Sequence, residues 1–296
     1  MPLTSTQASA LSRMFSSGVF KELAKKGRSP LFTRLVHESG LADRINILDH
    51  TIASTFDLAF SELRKSGVRD EYVYRSALTQ KILLGRHSLR TASMLTEFRA
   101  GSSRADLVVL NGKASAYEIK SDRDSLSRLN KQIADYRKVF SHVYVIASHI
   151  HLDSVIENTP EDVGIMSLVR WNRIHTAREA VNRESMVCTD TIFQSLRMSE
   201  AKKILTSLDV KLPDVPNIML WEAMREKFSC LKPIDVHRQM IAVLKESRNL
   251  ASLSYLVEQM PISLQAAALS ITIGRADHDR LIKTVRIPLF QAMDWE

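Results

Sequence analysis

Residues 103–120 read SRADLVVLNGKASAYEIK and set three ionisable side chains, Asp106, Glu118 and Lys120, among two runs of apolar residues. Two carboxylates on one face make a site for a hard divalent cation, Mg²⁺ or Mn²⁺, which takes oxygen ligands and keeps several waters. Lys120 beside them would orient or activate a water, or stabilise charge on a phosphate oxygen, next to a metal acting as Lewis acid. Those parts suit hydrolysis of a phosphodiester bond.

The elements that carry these residues decide whether they meet. Leu107 to Leu110 on one side, and Tyr117 and Ile119 on the other, flank Asn111-Gly112 in the pattern of a β-hairpin. Glu118 and Lys120, two residues apart on a strand, project from the same face. Asp106 joins them only for certain turns. A two-residue Asn111-Gly112 loop sends Asp106 and Glu118 to opposite faces. A three-residue loop (110–112 or 111–113) or a bulge shifts the register by one and brings them together. The Asn-Gly pair favours the short turn. Two carboxylates on opposite faces of a buried strand pair would each cost free energy with no partner, so the odd-length loop or bulge is the expectation.

Around the hairpin, MLTEF (94–98), HVYVIAS (142–148) and DVGIMSL (162–168) read as strands. In SLSRLNKQIADYRKVF (125–140), Leu126, Leu129, Ile133, Tyr136 and Phe140 mark one face of a helix. Strand, helix and strand in that order imply a right-handed crossover, so an antiparallel hairpin should feed a parallel pair. The fold class predicted is α/β (α+β), a mixed central sheet flanked by helices, with helical extensions at both ends.

Asp106, eleven intervening residues and Glu118-Ile119-Lys120 together resemble the PD-(D/E)XK nuclease superfamily, with Ala105 where that motif usually has proline. Gln132 and Tyr136 in LNKQIADY are similar to the Q-x-x-x-Y element of RecB-like exonuclease domains. The longer string EIKSDRDSLSRLNKQIADYRKVF also resembles a family of small, largely uncharacterised bacterial nuclease-like proteins. The resemblance covers roughly residues 70–170. It implies a restriction-endonuclease-like core, metal ligation by Asp106 and Glu118, help from Lys120, and positioning by Gln132 and Tyr136. It also places Asp122, Asp124 and Arg128 at the site's periphery. For a further acidic residue two positions compete, Glu71 on the preceding helix and Glu97 in TEF. The resemblance favours Glu97 as a third ligand or an orienter of metal-bound water, whereas Glu71 also suits a helix's first turn.

Arg104, Arg99, Arg123, Arg128 and Lys131 surround these positions and suit phosphate contacts. Arg75 belongs to a second basic group with Arg64, Lys65, Arg69, Lys81, Arg86 and Arg90. A net charge of +8 over 296 residues also favours a polyanionic partner. The partner expected is DNA, with RNA as second choice. Other chemistries lack their motifs: there is no glycine-rich phosphate loop, no H-E-x-x-H and no G-x-S-x-G, and His149 and His151 read as loop residues.

Residues 1–65 read as a helical segment, 66–183 as the nuclease-like core and 184–296 as a helical domain. The last has helices near 190–207, 216–231, 234–247 and 250–270, and is expected to serve as a substrate arm, a surface for a second copy or a docking site for a protein partner. An apolar fraction of 45% with no membrane-length apolar run predicts no membrane association. Two cysteines and no secretory signal pattern point to the cytoplasm. The function expected is a metal-dependent nuclease. The alternative is an inactive nuclease-fold protein that binds nucleic acid or docks a regulatory partner.

Overall fold

The computed structural model describes residues 3–65, 69–85, 87–171 and 173–295; Arg86 of the second basic group lies outside them. The chain forms two compact units, one of residues 1–81, 170–173 and 252–296, the other of 82–169 and 174–251. The divisions at 65 and 183 expected from sequence cut across both.

The first unit opens with helices α1 (Ser5–Met14), α2 (Ser17–Lys26), α3 (Pro30–Glu38), α4 (Ile52–Leu63) and α5 (Glu71–Leu78). Four of these five starts carry side-chain caps: Thr4 with Gln7, Ser29 ahead of Pro30, Thr51 with Ser54, and Asp70 accepting from the Val73 N–H. The helix α2 stops at Gly27, whose φ of 68° an L side chain resists. Beyond Leu78 the helix that carries Glu71 continues as a wider π turn, Thr79–Leu84. Phe15, Phe20, Phe32, Phe56, Phe60 and Tyr72 interlock at the centre, with ring centroids 4.4 to 6.0 Å apart.

The second unit is built on strands β1 (Ser93–Ala100), β2 (Ser103–Leu110), β3 (Ala114–Lys120), β4 (His142–Ala147), β5 (Gly164–Arg170) and β6 (Arg173–Arg178), in that spatial order. The fold is α+β, a mixed six-stranded sheet flanked by helices. The β1–β2 and β2–β3 pairs are antiparallel, and β3–β4 and β4–β5 are parallel. Helix α6 (Leu129–Tyr136) makes the crossover from β3 to β4 and α7 (Leu152–Asn158) the next. The edge strand β6, RIHTAR, was not foreseen because half its residues are charged or imidazole, and its exposure alternates as a one-sided edge requires.

The helices α8 (Thr189–Ser195), α9 (Met198–Ser207), α10 (Asn217–Ser229) and α11 (Pro233–Ser247) share one core with the sheet. In it Val108, Leu110, Ala116, Val143 and Val145 meet Leu129 and Ile133 of α6 and Ile204, Phe228 and Met240 of the later helices. Each fully buried aliphatic side chain contributes about 1.5–3 kcal/mol. The single helix expected over 190–207 breaks at Leu196 and Arg197, which are extended. Glu200, 1% exposed, accepts two 2.8 Å bonds from Arg248, whose guanidinium lies 5.2 Å from the Phe98 ring centroid. Burial pushes the Glu200 carboxyl up, but these donors, Ser247 and the Arg197 N–H outweigh it and hold it below its usual range.

The first unit is completed by α12 (Ser254–Gln259), α13 (Ile262–Ser270), α14 (Arg275–Val285) and α15 (Leu289–Ala292). The helix expected over 250–270 is interrupted at Pro261, where the ring removes an N–H. Among the described residues no helix is long and apolar enough to cross a membrane.

His237 of α11 is fully buried, with neither ring nitrogen hydrogen-bonded. Burial pushes its pKa down from 6.5 to about 4; His142 and Arg238 act the same way and Glu184 opposes them. The unfolded chain protonates near 6.5, so the folded state loses stability as pH falls from there to about 4, by about 3 kcal/mol. Urea unfolding at stepped pH should show this acid limb, and His237→Phe should flatten it.

Candidate active site

The hairpin turn is a three-residue loop. The register pairs Leu110 with Ala114 and Leu107 with Tyr117, leaving Asn111, Gly112 and Lys113 to turn the chain. Gly112 takes a φ of 96° and the Asn111 N–H reaches the Lys113 carbonyl at 3.1 Å. One more step along this register sets Asp106 directly opposite Glu118, and opposed residues of an antiparallel pair share a face. The odd-length expectation holds.

Glu118 is 1% exposed and Lys120 5%, so both are nearly dry. The Glu118 Oε1 accepts from the Lys120 Nζ at 2.8 Å and from the Gln132 Nε2 at 2.5 Å, and Oε2 accepts from the Tyr136 hydroxyl at 2.6 Å. Lys120 also donates to the Gln132 Oε1 at 3.1 Å. Asp106, half-buried, takes the N–H of Ile119 at 2.7 Å on its Oδ2. Burial pushes the Tyr136 phenol strongly up, and the charges of Glu118 and Asp106 push the same way, as two carboxylates on the α6 side of the sheet would.

Gln132 and Tyr136 reach the strand because they lie four residues apart on α6, whose Leu129, Ile133 and Tyr136 are buried. A clip that the sequence reading missed fixes the helix. Asp135 accepts from the hydroxyls of Ser102 and Ser103 at 2.8 and 2.9 Å, beside Gly101, where φ is 59° and a side chain would crowd the carboxylate. Burial raises the Asp135 carboxyl, and Ser102, Ser103 and Lys138 overcome that to hold it below its ordinary value. The signal was in the Gly-Ser-Ser turn, but its partner lies 32 residues away.

The other expected residues disperse. Glu97 lies on β1 between the pairs Thr96–Leu107 and Phe98–Ala105, at the level of Asp106. Its side chain is nonetheless exposed and makes no hydrogen bond or ion pair among the described residues. Its φ of 53° is left-handed, at a cost of about 1–2 kcal/mol, and lets Leu95 and Phe98, three apart, enter the same core. Glu71 and Arg75 belong to the first unit and pair with each other at 3.5 Å, with the Arg75 guanidinium 5.6 Å from the Tyr72 ring. Arg99, Arg104, Arg123, Arg128 and Lys131 are exposed, and none forms an ion pair among the described residues. Asp124 accepts from the Ser121 N–H and hydroxyl, closing the turn after β3.

Among the described residues no cluster of three or more His, Cys, Asp or Glu side chains could hold a metal. The donor set at the hairpin is the pair Asp106 and Glu118. Mg²⁺ is commonly held by one or two carboxylates with waters filling the rest, so this pair fits a hard cation.

Tyr136→Phe should leave Glu118 Oε2 buried without its donor and cost about 1–3 kcal/mol, read as a lower urea midpoint at unchanged slope.

The sequence pattern of the family described as bacteriophage P4 protein cII matches residues 64–270, more than half of the chain. Protein cII of Enterobacteria phage P4 is 33% identical over 88 residues, 30% of this chain and 33% of that protein, so the match spans about a third of the relative's length. A protein of unknown function from Silicibacter pomeroyi aligns over 49% of this chain and 92% of its own, at 15% identity and a TM-score of 0.31, a likeness too slight to carry an argument. The chain belongs to the bacteriophage P4 protein cII family.

Proposed function

We propose that this member of the bacteriophage P4 protein cII family is a metal-dependent nuclease acting on DNA, with RNA as the second substrate class. One observation carries the reading: Asp106 stands across the hairpin from Glu118, and Glu118 is bound to a buried lysine. Buried ion pairs are weak contributors to stability, because desolvation offsets most of their attraction. A solitary lysine–carboxylate pair beside a second, half-buried carboxylate is better explained by chemistry than by packing.

Asp106 and Glu118 would hold Mg²⁺ or Mn²⁺. The bound ion would supply a Lewis acid at phosphorus and a water of lowered pKa. The Lys120 ammonium, with three donors, can hold the attacking water or an equatorial phosphate oxygen. Gln132 ties Lys120 and Glu118 together, and Tyr136 fixes the rotamer of Glu118. Arg104, exposed two residues before Asp106, would meet the neighbouring phosphate.

A second reading is an inactive scaffold that binds nucleic acid through its basic surface or docks a regulatory partner. The engagement of both Glu118 oxygens by protein donors favours it.

Linear, circular and single-stranded DNA, and RNA, incubated with Mg²⁺ or Mn²⁺ and then with chelator, separate the two. Under the nuclease reading cleavage is metal-dependent. Asp106→Asn, which can still accept the Ile119 N–H, loses it while binding persists. Lys120→Ala lowers the rate by about 100-fold or more. Binding without cleavage in the wild type leaves the binding protein, and cleavage that persists in chelator overturns the metal-dependent reading.

A further inference from the structure

A concavity in the same unit lies where β1 meets α8 and α10. It encloses about 230 Å³ and is lined by Arg99, Phe193, Gln194, Leu196, Met198 and Trp221. Trp221 is 42% exposed, yet its indole has two fixed neighbours. The Phe193 ring tilts against it at 5.3 Å, and the Arg225 guanidinium sits 5.5 Å from the indole centroid. Arg225 is itself fixed by Asp190 through bonds of 2.5 and 3.1 Å, and Phe193 packs on Phe228 at 5.1 Å. An exposed indole with so little rotational freedom is a preorganised stacking platform.

The charge at this slot is unbalanced. Arg99 donates through Nε to the Gly101 carbonyl at 3.2 Å, and the register sets Arg104 directly across from it. Neither guanidinium meets a carboxylate among the described residues. Two like charges facing each other across strands are destabilising unless a counter-charge arrives. A phosphate diester supplies one, and the aromatic wall beside it supplies a surface for the attached base. The Tyr136 hydroxyl, with a single proton to give, lies 2.6 Å from both the Arg104 carbonyl and Glu118 Oε2, so the backbone that carries Arg104 adjoins the carboxylate site.

We propose that this slot holds an unpaired base of single-stranded DNA on Trp221, with Arg99 and Arg104 on the adjoining phosphates. The slot deepens the nuclease reading and rests on it for the strand's course toward Asp106 and Glu118. A base pair inside a duplex is covered on both faces by its neighbours, so the slot selects single-stranded or frayed segments over the interior of an intact duplex.

The test is fluorescence anisotropy of a labelled oligo-dT and of a long two-stranded blunt duplex, both in chelator, against the wild type, Trp221→Ala, Trp221→Phe and Arg99→Gln. The slot predicts that W221A weakens oligo-dT binding by roughly tenfold and W221F by much less, with duplex binding unchanged in both. R99Q should weaken oligo-dT binding and reduce the slope of log affinity against log salt by about one. Unchanged oligo-dT affinity in W221A, an equal loss on duplex, or no oligo-dT binding by the wild type overturns it. Oligo-dT held through Trp221 by a protein that cleaves nothing would keep the slot and remove the nuclease reading. Cleavage together with unchanged W221A binding would do the reverse.

Discussion

A carboxylate taken out of water must find donors in the protein, and Glu118 finds three: the Lys120 ammonium, the Gln132 amide and the Tyr136 hydroxyl. This requirement fixes more than one side chain. It sets the height at which α6 crosses the sheet, because Gln132 and Tyr136 must both arrive over β3. It also fixes the end of β2, since Tyr136 reaches the Arg104 carbonyl with the same hydroxyl. Asp135, the next residue on that helical turn, anchors the β1–β2 connection through Ser102 and Ser103. Loosening α6 would therefore expose a buried charge and release a strand turn together.

The β2–β3 hairpin is under the same constraint. Asn111-Gly112 is a strong local signal for a two-residue turn, and that turn would have separated Asp106 from Glu118. The loop instead takes in Lys113, with Gly112 providing the positive φ. The face of β3 decided against the local preference: a one-residue slip would carry Glu118 and Lys120 to the other side of the strand, away from Gln132 and Tyr136.

The late helices are part of the fold's core rather than an appendage. Phe228, Met240 and Leu244 lie in one cluster with Val108, Val143 and Val145, and Arg248 joins Glu200 to Phe98. The last helices belong instead with the first ones, in the other unit. Contacts so distant in sequence leave no periodic trace, so the switch to a helical pattern near residue 184 reads as a boundary although residues on both sides of it share one compact unit.

The sequence alone determined the strand–helix–strand order, the mixed sheet, and the trio Asp106, Glu118 and Lys120 with Gln132 and Tyr136 four residues apart. Each of these is set by local pattern: alternation, helical spacing, or residues sharing one element. The tertiary structure alone decided that Glu97 faces solvent in a left-handed conformation, that Asp135 clips the β1–β2 turn, and that Trp221 stands beside Arg99. These depend on which distant segments come to share a surface, and that is settled by packing of the whole unit rather than by neighbours along the chain.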